Sequence, residues 1–151
     1  MIQRLLPFVT LVALFLGLAI ASPNFLSAPN LSSVVRQTAV INIMALGMTL
    51  VIISGGIDLS VGSILAVGGL FGTMAISHGS GVVAGIFVGI LAGAVCGAAN
   101  GAMIVGFRVN PFIVTLGTMG IFRGVSLIAS NGLPVHDLPP SFSFLGEGNF
   151  L

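Results

Sequence analysis

Two long apolar stretches flank the sequence Ser54-Gly-Gly-Ile-Asp-Leu-Ser-Val-Gly-Ser63. They cover residues 34–53 and 61–77, and each approaches the length of about 20 mostly apolar residues that crosses a bilayer. The carboxylate of Asp58 lies between them, where burial is unfavourable unless the group is hydrogen-bonded, paired with a cation or in contact with water. We therefore expect this polar break to have a role in function.

The composition of the 151-residue chain is typical of a membrane protein. Hydrophobic residues make up 56% of it and charged residues only 5%, whereas soluble domains carry about 25% charged residues. Because so few charges are unable to cover a water-facing surface, we predict an all-α fold, a polytopic transmembrane helical bundle. The formal net charge of +1 argues against nucleic acid as a partner.

The hydropathy pattern predicts five spans, at about 5–21, 34–53, 61–77, 82–105 and 111–130, followed by an external tail over 131–151. The first span has a second interpretation. Arg4, an apolar run and Ala19-Ile-Ala21 are also typical of a cleaved signal peptide. Since four more spans follow, we expect the first helix to remain as a membrane anchor.

Prolines mark the expected ends of the spans. Pro23 and Pro29 predict a loop over 22–33, because a residue before proline is driven out of the helical region. Asn110-Pro111 predicts a helix start, since asparagine caps helices and proline fits their first turn. The proline- and glycine-containing tail is predicted to be irregular.

Arginines in short loops predict the orientation. With a cytoplasmic N-terminus, five crossings place Arg4 and Arg108 inside, Arg36 outside and the tail from Asn131 outside. The opposite orientation places only Arg36 inside. We therefore expect a cytoplasmic N-terminus.

A glycine recurs at every fourth position through the fourth predicted span. The set is Gly81, Gly85, Gly89, Gly93, Gly97 and Gly101. Such glycines form a slanted groove on the helix surface, and small residues allow helices to approach closely in membranes. The groove indicates either tight packing inside one bundle, an interface for self-association, or a moving helix contact.

The last predicted span has two different faces. At 100° per residue, an arc of about 140° contains Thr115, Thr118, Arg123 and Ser126. The opposite side, within about 60°, contains Gly117, Gly120 and Gly124. The first face is a candidate pathway lining and the second a candidate packing surface. Arg123 begins about 18 Å along the helix, so we expect it to snorkel, pair with a carboxylate or face water.

Three roles are open to Asp58. Asp58 or Ser60 would cap the helix that begins near Val61. Alternatively, Asp58 pairs with an arginine, or it contacts a polar solute at a broken helix of the kind that transporters use. Gly55-Gly56 permits the unwound backbone that such a site requires. We treat Asp58 as a candidate pathway or gating residue.

Patterns typical of enzymes, cofactor sites and metal sites are missing from the sequence. His136 is adjacent to Asp137, but such adjacency is common by chance, and Cys96 is interpreted as a packing residue. The chain contains no lysine, so it has no phosphate-binding loop with the usual lysine. Histidine and cysteine do not occur at metal-ligand spacing. We predict a non-catalytic protein without a cofactor.

Four motifs resemble the ribose-type permease family. They are Gly55-Gly-Ile-Asp-Leu-Ser-Val-Gly-Ser63, Asn100-Gly101, Asn110-Pro-Phe-Ile-Val-Thr-Leu-Gly-Thr118 and Arg123-Gly124. Members are inner-membrane subunits of bacterial ABC importers for monosaccharides such as ribose, xylose, arabinose and galactose. The resemblance implies a cytoplasmic ABC ATPase, a periplasmic sugar-binding protein and a second permease chain as partners.

The resemblance covers about residues 8–151 and implies the N-terminal half of a ten-helix-type permease. The family's ATPase-coupling loop, with its Gly-Arg and Ala-Val-Gly-Gly-Asn-like stretch, is absent. We therefore expect a truncated or partial reading frame, or one piece of a split permease. An alternative hypothesis is a non-transporting, self-associating membrane fragment packed through the Gly81–Gly101 ladder. An ion-coupled transporter is less favoured, because Asp58 is the only candidate intramembrane acid.

Overall fold

The computed structural model describes residues 2–147. Among them, six α-helices follow one another: α1 Ile2–Ala21, α2 Ala28–Ile53, α3 Val61–Ala75, α4 Val82–Gly101, α5 Pro111–Ala129 and α6 Pro140–Glu147. A π-helical segment extends α3 over Ile76–Ser80, and another extends α4 over Ala102–Gly106. No β-strand occurs within residues 2–147, so the all-α prediction is confirmed. Residues 148–151 of the predicted tail lie outside the described range.

Four helices of the described chain are long and apolar enough to cross a membrane. They are Ala28–Ile53, Val61–Ser80, Val82–Gly106 and Pro111–Ala129, and Leu5–Ala21 is a shorter apolar helix. Large apolar side chains are exposed along all of these helices. Because lipid is the solvent in which such a surface is stable, the prediction of a polytopic membrane protein is confirmed.

The helix α2 begins at Ala28 rather than at residue 34. Pro29 lies in its first turn, where the missing N–H of proline requires no partner. Asn30 Nδ2 donates a hydrogen bond of 2.7 Å to Phe25 O and thereby holds the turn that precedes the helix. The connection from α1 is therefore shorter than the proline content predicts.

The chain divides into two compact units, residues 1–43 and residues 44–151. In the first unit, the rings of Phe15 and Phe25 pack edge to face with their centroids 5.3 Å apart. The second unit contains α3, α4 and α5, which pack against one another. Every site residue discussed below belongs to this second unit.

Glycines bring the backbones of α3 and α4 into contact. A Cβ added at Gly68 would lie 2.9 Å from the Gly89 carbonyl oxygen, and one added at Gly72 would lie 2.9 Å from the Gly85 carbonyl oxygen. Helices in lipid associate through van der Waals contact, which such close approach increases. The two glycine pairs therefore determine how closely α3 and α4 approach.

The start of α5 has the predicted cap. Asn110 Oδ1 accepts a hydrogen bond of 2.9 Å from Phe112 N–H, and Pro111 is the first residue of the helix. The asparagine side chain accepts a hydrogen bond from an amide that has no partner within the helix. Proline has no amide N–H that would need a partner. This prediction is confirmed.

The tail contains the short helix α6, where irregular structure is predicted from its composition. Pro139 and Pro140 restrict φ to about −65°, which is compatible with the start of a helix. Phe142 N–H donates a hydrogen bond of 2.8 Å to Pro139 O. The tail is therefore helical over Pro140–Glu147, and this part of the prediction is wrong because proline is compatible with a helix start as well as with irregular chain.

Candidate functional site

The polar segment between α2 and α3 follows the end of α2, where the backbone conformation favours glycine. Gly55 has a φ of +81°, a conformation that glycine adopts with little strain. Its N–H donates to Ile52 O, and Gly56 N–H donates to Val51 O, both at 3.0 Å. These two bonds end α2 in a Schellman-type motif and direct the chain towards Asp58.

Asp58 restrains Ser60 instead of capping α3. Its Oδ1 accepts hydrogen bonds from Ser60 N–H at 2.7 Å and from the Ser60 hydroxyl at 2.6 Å. Ser60 occupies the N-cap position, but its side chain accepts from no amide of the first turn. The expected side-chain cap is therefore absent, because the aspartate forms a local turn that competes with capping.

Asn100 of α4 completes a hydrogen-bonded group that we call the polar junction, formed by Asp58, Ser60 and Asn100. Asn100 Nδ2 donates to Ser60 Oγ at 2.8 Å. Ser60 is 0% exposed and Asn100 is 5% exposed. Asn100 Oδ1 is shielded from solvent and has no hydrogen-bond partner among the described residues. The junction thus joins the start of α3 to α4 and leaves one buried acceptor unpaired.

Hydroxyl groups tie α5 to the same region. Thr115 Oγ1 lies 3.1 Å from Ile57 O and 2.9 Å from Pro111 O. Ser63 of α3 donates a hydrogen bond of 2.9 Å to Met119 O. Because one contact lies before α3 and the other lies in its first turn, the start of α3 is held against α5 at two points.

The predicted polar face of α5 is buried within this chain. Thr115, Thr118 and Ser126 are 2%, 4% and 9% exposed. Thr118 and Ser126 bond to carbonyl oxygens of their own helix. Arg123, at the edge of the same arc, is exposed and lies about 12 Å along the helix from Thr115. The structure thus brings Asp58 and Thr115 into one region and leaves Arg123 apart from it.

The predicted packing glycines fall into two groups. Gly85 and Gly89 lie against the backbone of α3, and a Cβ at Gly93 would lie 3.6 Å from Ile64. A second group has nothing within 4 Å of an added Cβ: Gly81, Gly97, Gly101, Gly117, Gly120 and Gly124. The glycine face of α5 is therefore open in the described chain.

The sequence pattern identifies neither Ser63 as part of the site nor the bond between Ser60 and Asn100. Ser60 and Ser63 are three residues apart, a spacing that places both on one side of a helix. An asparagine within an apolar span is unfavourable unless its amide is bonded. These two signals identify buried polar residues, but they do not identify which residues pair.

A second polar feature lies at the opposite ends of α3 and α5. A cavity of about 340 Å³ is lined there by His78, His136, Asp137 and seven neighbours. His78 Nδ1 lies 2.6 Å from Met74 O. Among the described residues, no group of three or more His, Cys, Asp or Glu side chains is arranged to hold a metal ion. The fold brings together two histidines that are distant in sequence, without forming a metal site.

Comparison with known proteins identifies relatives along most of the chain. The protein family described as branched-chain amino acid transport system / permease component matches residues 30–137. No solved structure matches the chain.

Three curated relatives illustrate the similarity. The ribose import permease protein RbsC of Bacillus subtilis (strain 168) is 44% identical over 151 residues, which cover 99% of this chain and 47% of the relative. The L-arabinose ABC transporter permease protein AraH of Azospirillum brasilense is 36% identical over 140 residues, covering 93% and 41%. The autoinducer 2 import system permease protein LsrC of Klebsiella pneumoniae is 34% identical over 149 residues, covering 99% and 43%.

The matches confirm the predicted resemblance to ribose-type permeases. The chain spans less than half the length of these three relatives.

Proposed function

Because the chain belongs to the family of branched-chain amino acid transport system permease components, we propose that it is a membrane subunit of an ATP-driven importer. The proposed cargo is a monosaccharide of the ribose, xylose or galactose type. The observation that carries this proposal is the 44% identity to a ribose import permease over 99% of the chain. The neutral hydroxyl and amide groups buried around the start of α3 are compatible with an uncharged, hydroxyl-rich cargo.

The proposed importer has three further components. They are a cytoplasmic ABC ATPase, a periplasmic sugar-binding protein and a second permease chain. Since the chain contains no lysine, ATP binding through a lysine-containing phosphate loop falls to the ATPase. The permease would act without a cofactor, as part of a helical path through the bacterial plasma membrane.

The proposed orientation has a cytoplasmic N-terminus. Arg108 is exposed in the connection before α5, and this orientation places it on the cytoplasmic side, as the positive-inside rule favours. The cavity at His78 and His136 would then face the periplasm. The polar junction would lie near the cytoplasmic side, towards the ATPase.

The proposed pathway and gating residues have two kinds of role. Arg123 is exposed, and its guanidinium offers several N–H donors to the hydroxyl groups of a passing sugar. Asp58 is half-buried, while Thr115, Thr118 and Ser126 are buried. We propose that these four act through the position of α3 against α5, and so gate the path instead of lining it.

Uptake by an assembled importer tests the proposal. The full chain is reconstituted into membrane vesicles together with the ATPase and the binding protein of a ribose importer. The ATP-dependent accumulation of radiolabelled ribose in these vesicles is then measured. We expect accumulation several-fold above that of vesicles carrying an ATPase that does not hydrolyse ATP. Ile128→Leu changes an exposed apolar position. It serves as a control for the effect of substitution itself and should retain uptake. Absence of ATP-dependent uptake of ribose, xylose, arabinose and galactose would contradict the proposal.

A second candidate function is self-association without transport. It is favoured by the glycines that face open space on α4 and α5, since such surfaces accept a neighbouring helix. The ladder glycines Gly85 and Gly89 already pack against α3, so this function would depend on the remaining ones.

A further inference from the structure

The polar junction contains a hydrogen-bonding group that the closed structure leaves unpaired. Asn100 Nδ2 donates to Ser60 Oγ, and Asn100 Oδ1 has no partner among the described residues. Turning the amide over would place Oδ1 next to the Ser60 hydroxyl, whose only hydrogen is donated to Asp58 Oδ1, and would leave Nδ2 unpaired as well. A buried, unpaired polar atom is unfavourable by about 1–3 kcal/mol. The closed junction is therefore less stable than its packing alone indicates.

Asp58 determines the kind of partner that is missing. A carboxylate only accepts hydrogen bonds, so the Ser60 hydroxyl, 2.6 Å away, donates to it. Ser60 Oγ then accepts from Asn100 Nδ2. The group that remains unpaired is an acceptor, so its missing partner is a hydrogen-bond donor.

The first turn of α3 offers complementary groups next to Ser60. No side chain caps this helix, so the amides of Val61 and Gly62 keep the unpaired donors that every helix start contains. A hydroxyl group both donates and accepts. It is the simplest group able to donate to Asn100 Oδ1 while accepting from the start of α3.

The site is closed in this structure, because Asn100 Oδ1 is shielded from solvent. A hydroxyl reaches it only if α3 and α4 separate at this end. The contact between Gly68 and Gly89 holds the two helices together, but Gly68 is about 12 Å along α3 from Ser60. Gly97 and Gly101, on either side of Asn100, face open space. The close glycine contact between α3 and α4 therefore does not extend as far as the junction, where the bond between Ser60 and Asn100 joins the two helices.

We propose that the polar junction is a cryptic binding site for one hydroxyl group. The site opens when α3 and α4 separate while their glycine contact is kept, and the hydroxyl then donates to Asn100 Oδ1. It comes from water or from a sugar. That the hydroxyl belongs to a sugar rests on the proposed function, whereas a hydroxyl from water does not require it.

Hydrogen–deuterium exchange of residues 54–63, measured on the full chain in lipid nanodiscs, tests the proposal. Asn100→Leu removes the unpaired acceptor and fills its place with apolar volume, so exchange should become about tenfold slower. Ser60→Ala leaves both polar atoms of Asn100 unpaired, so exchange should become about tenfold faster. Thr10→Ala removes a bond within α1 and serves as the control with unchanged exchange. Asn100→Met is measured in parallel, in case the leucine variant does not fold.

Opposite effects of the two junction variants distinguish the proposal from a purely structural role. If Asn100 only supported packing, its apolar replacements would accelerate exchange or leave it unchanged, and either result would overturn the proposal. Adding millimolar ribose identifies the source of the hydroxyl. A change of exchange in the unmodified chain but not in Asn100→Leu indicates the sugar, whereas no change indicates water. The exchange measurement does not depend on sugar uptake. A negative uptake result would therefore contradict the proposed function without contradicting the proposed site, and the reverse also holds.

Discussion

Gly72 and Gly85 lie against each other where α3 crosses α4, with too little space between them for a methyl group. A Cβ at Gly85 would lie 2.7 Å from the Gly72 carbonyl oxygen and would overlap the side chain of Ile76. Helices in lipid associate largely through van der Waals contact, and this close approach increases that contact. The position of α4, and with it the position of Asn100, therefore depends on this glycine pair.

Gly85→Ala is expected to destabilise the protein by about 1–3 kcal/mol, because the methyl group would push α3 and α4 apart. The matched control is Gly97→Ala, at a ladder position with nothing within 4 Å. It should be neutral or stabilising by up to about 1 kcal/mol, since alanine favours a helix more than glycine does. Unfolding by SDS titration from mild detergent measures both, and equal stability of the two variants would contradict the tight contact.

Gly55→Ala is expected to cost about 1–2 kcal/mol, because a Cβ is unfavourable at a φ of +81°. Gly62→Ala is the control, since Gly62 lies in a regular helix with nothing within 4 Å. Stability is measured by the same titration, and limited proteolysis of the 54–60 segment should be faster only in the Gly55 variant. Similar protection in both variants would mean that the end of α2 does not depend on this conformation.

Thr115→Val is expected to lower stability by about 0.5–1.5 kcal/mol, because it removes the hydroxyl that contacts Ile57 O at 3.1 Å. Thr115→Ser keeps the hydroxyl and should stay close to the unmodified protein. For the gating role, sugar uptake is measured with Thr115 and Thr118 both replaced by valine. Unchanged uptake in that double variant would remove both residues from the proposed gate.

Asn110→Ala is expected to destabilise the protein by about 1 kcal/mol, since it removes the cap of α5. Asn110→Asp keeps an acceptor oxygen for Phe112 N–H and should retain most of the stability. The comparison uses thermal unfolding in detergent, followed by loss of helical circular dichroism. A stable alanine variant would show that Pro111 alone is sufficient to start the helix.

Gly120→Leu is expected to reduce self-association several-fold, because it places a bulky side chain on the open glycine face of α5. Folding should be unaffected, since nothing lies within 4 Å of a Cβ at this position. Ile121→Leu, an exposed neighbour, is the control. Energy transfer between labelled chains in vesicles measures the association, and an undiminished signal would exclude this face as the interface.

Local chemistry was sufficient to predict the long apolar helices and the cap of α5. A bilayer requires every spanning segment to pair its own backbone groups, so apolar length predicts a helix without reference to neighbours. The Asn110 cap is equally local, since donor and acceptor are two residues apart. The tail helix was missed because prolines are compatible both with a helix start and with irregular chain.

Which face of α5 is buried was not predictable from local chemistry. Helical periodicity places Thr115 and Thr118 on one side and Gly120 on the other. In lipid, a neighbouring helix and the solvent are both apolar, so hydropathy does not distinguish the buried side from the exposed one. The structure buries the hydroxyl side and leaves the glycine side open.

Composition and hydropathy thus establish an all-α membrane protein, and its motifs place it in a permease family. The pairing of Ser60 with Asn100, 40 residues apart, follows instead from the close crossing of α3 and α4. A hydrogen bond between distant residues depends on where helices meet, and that in turn depends on which glycines face each other. For this reason Asp58 is recognisable in the chain as an unusual acid, but its place in a buried junction is visible only once the helices are packed.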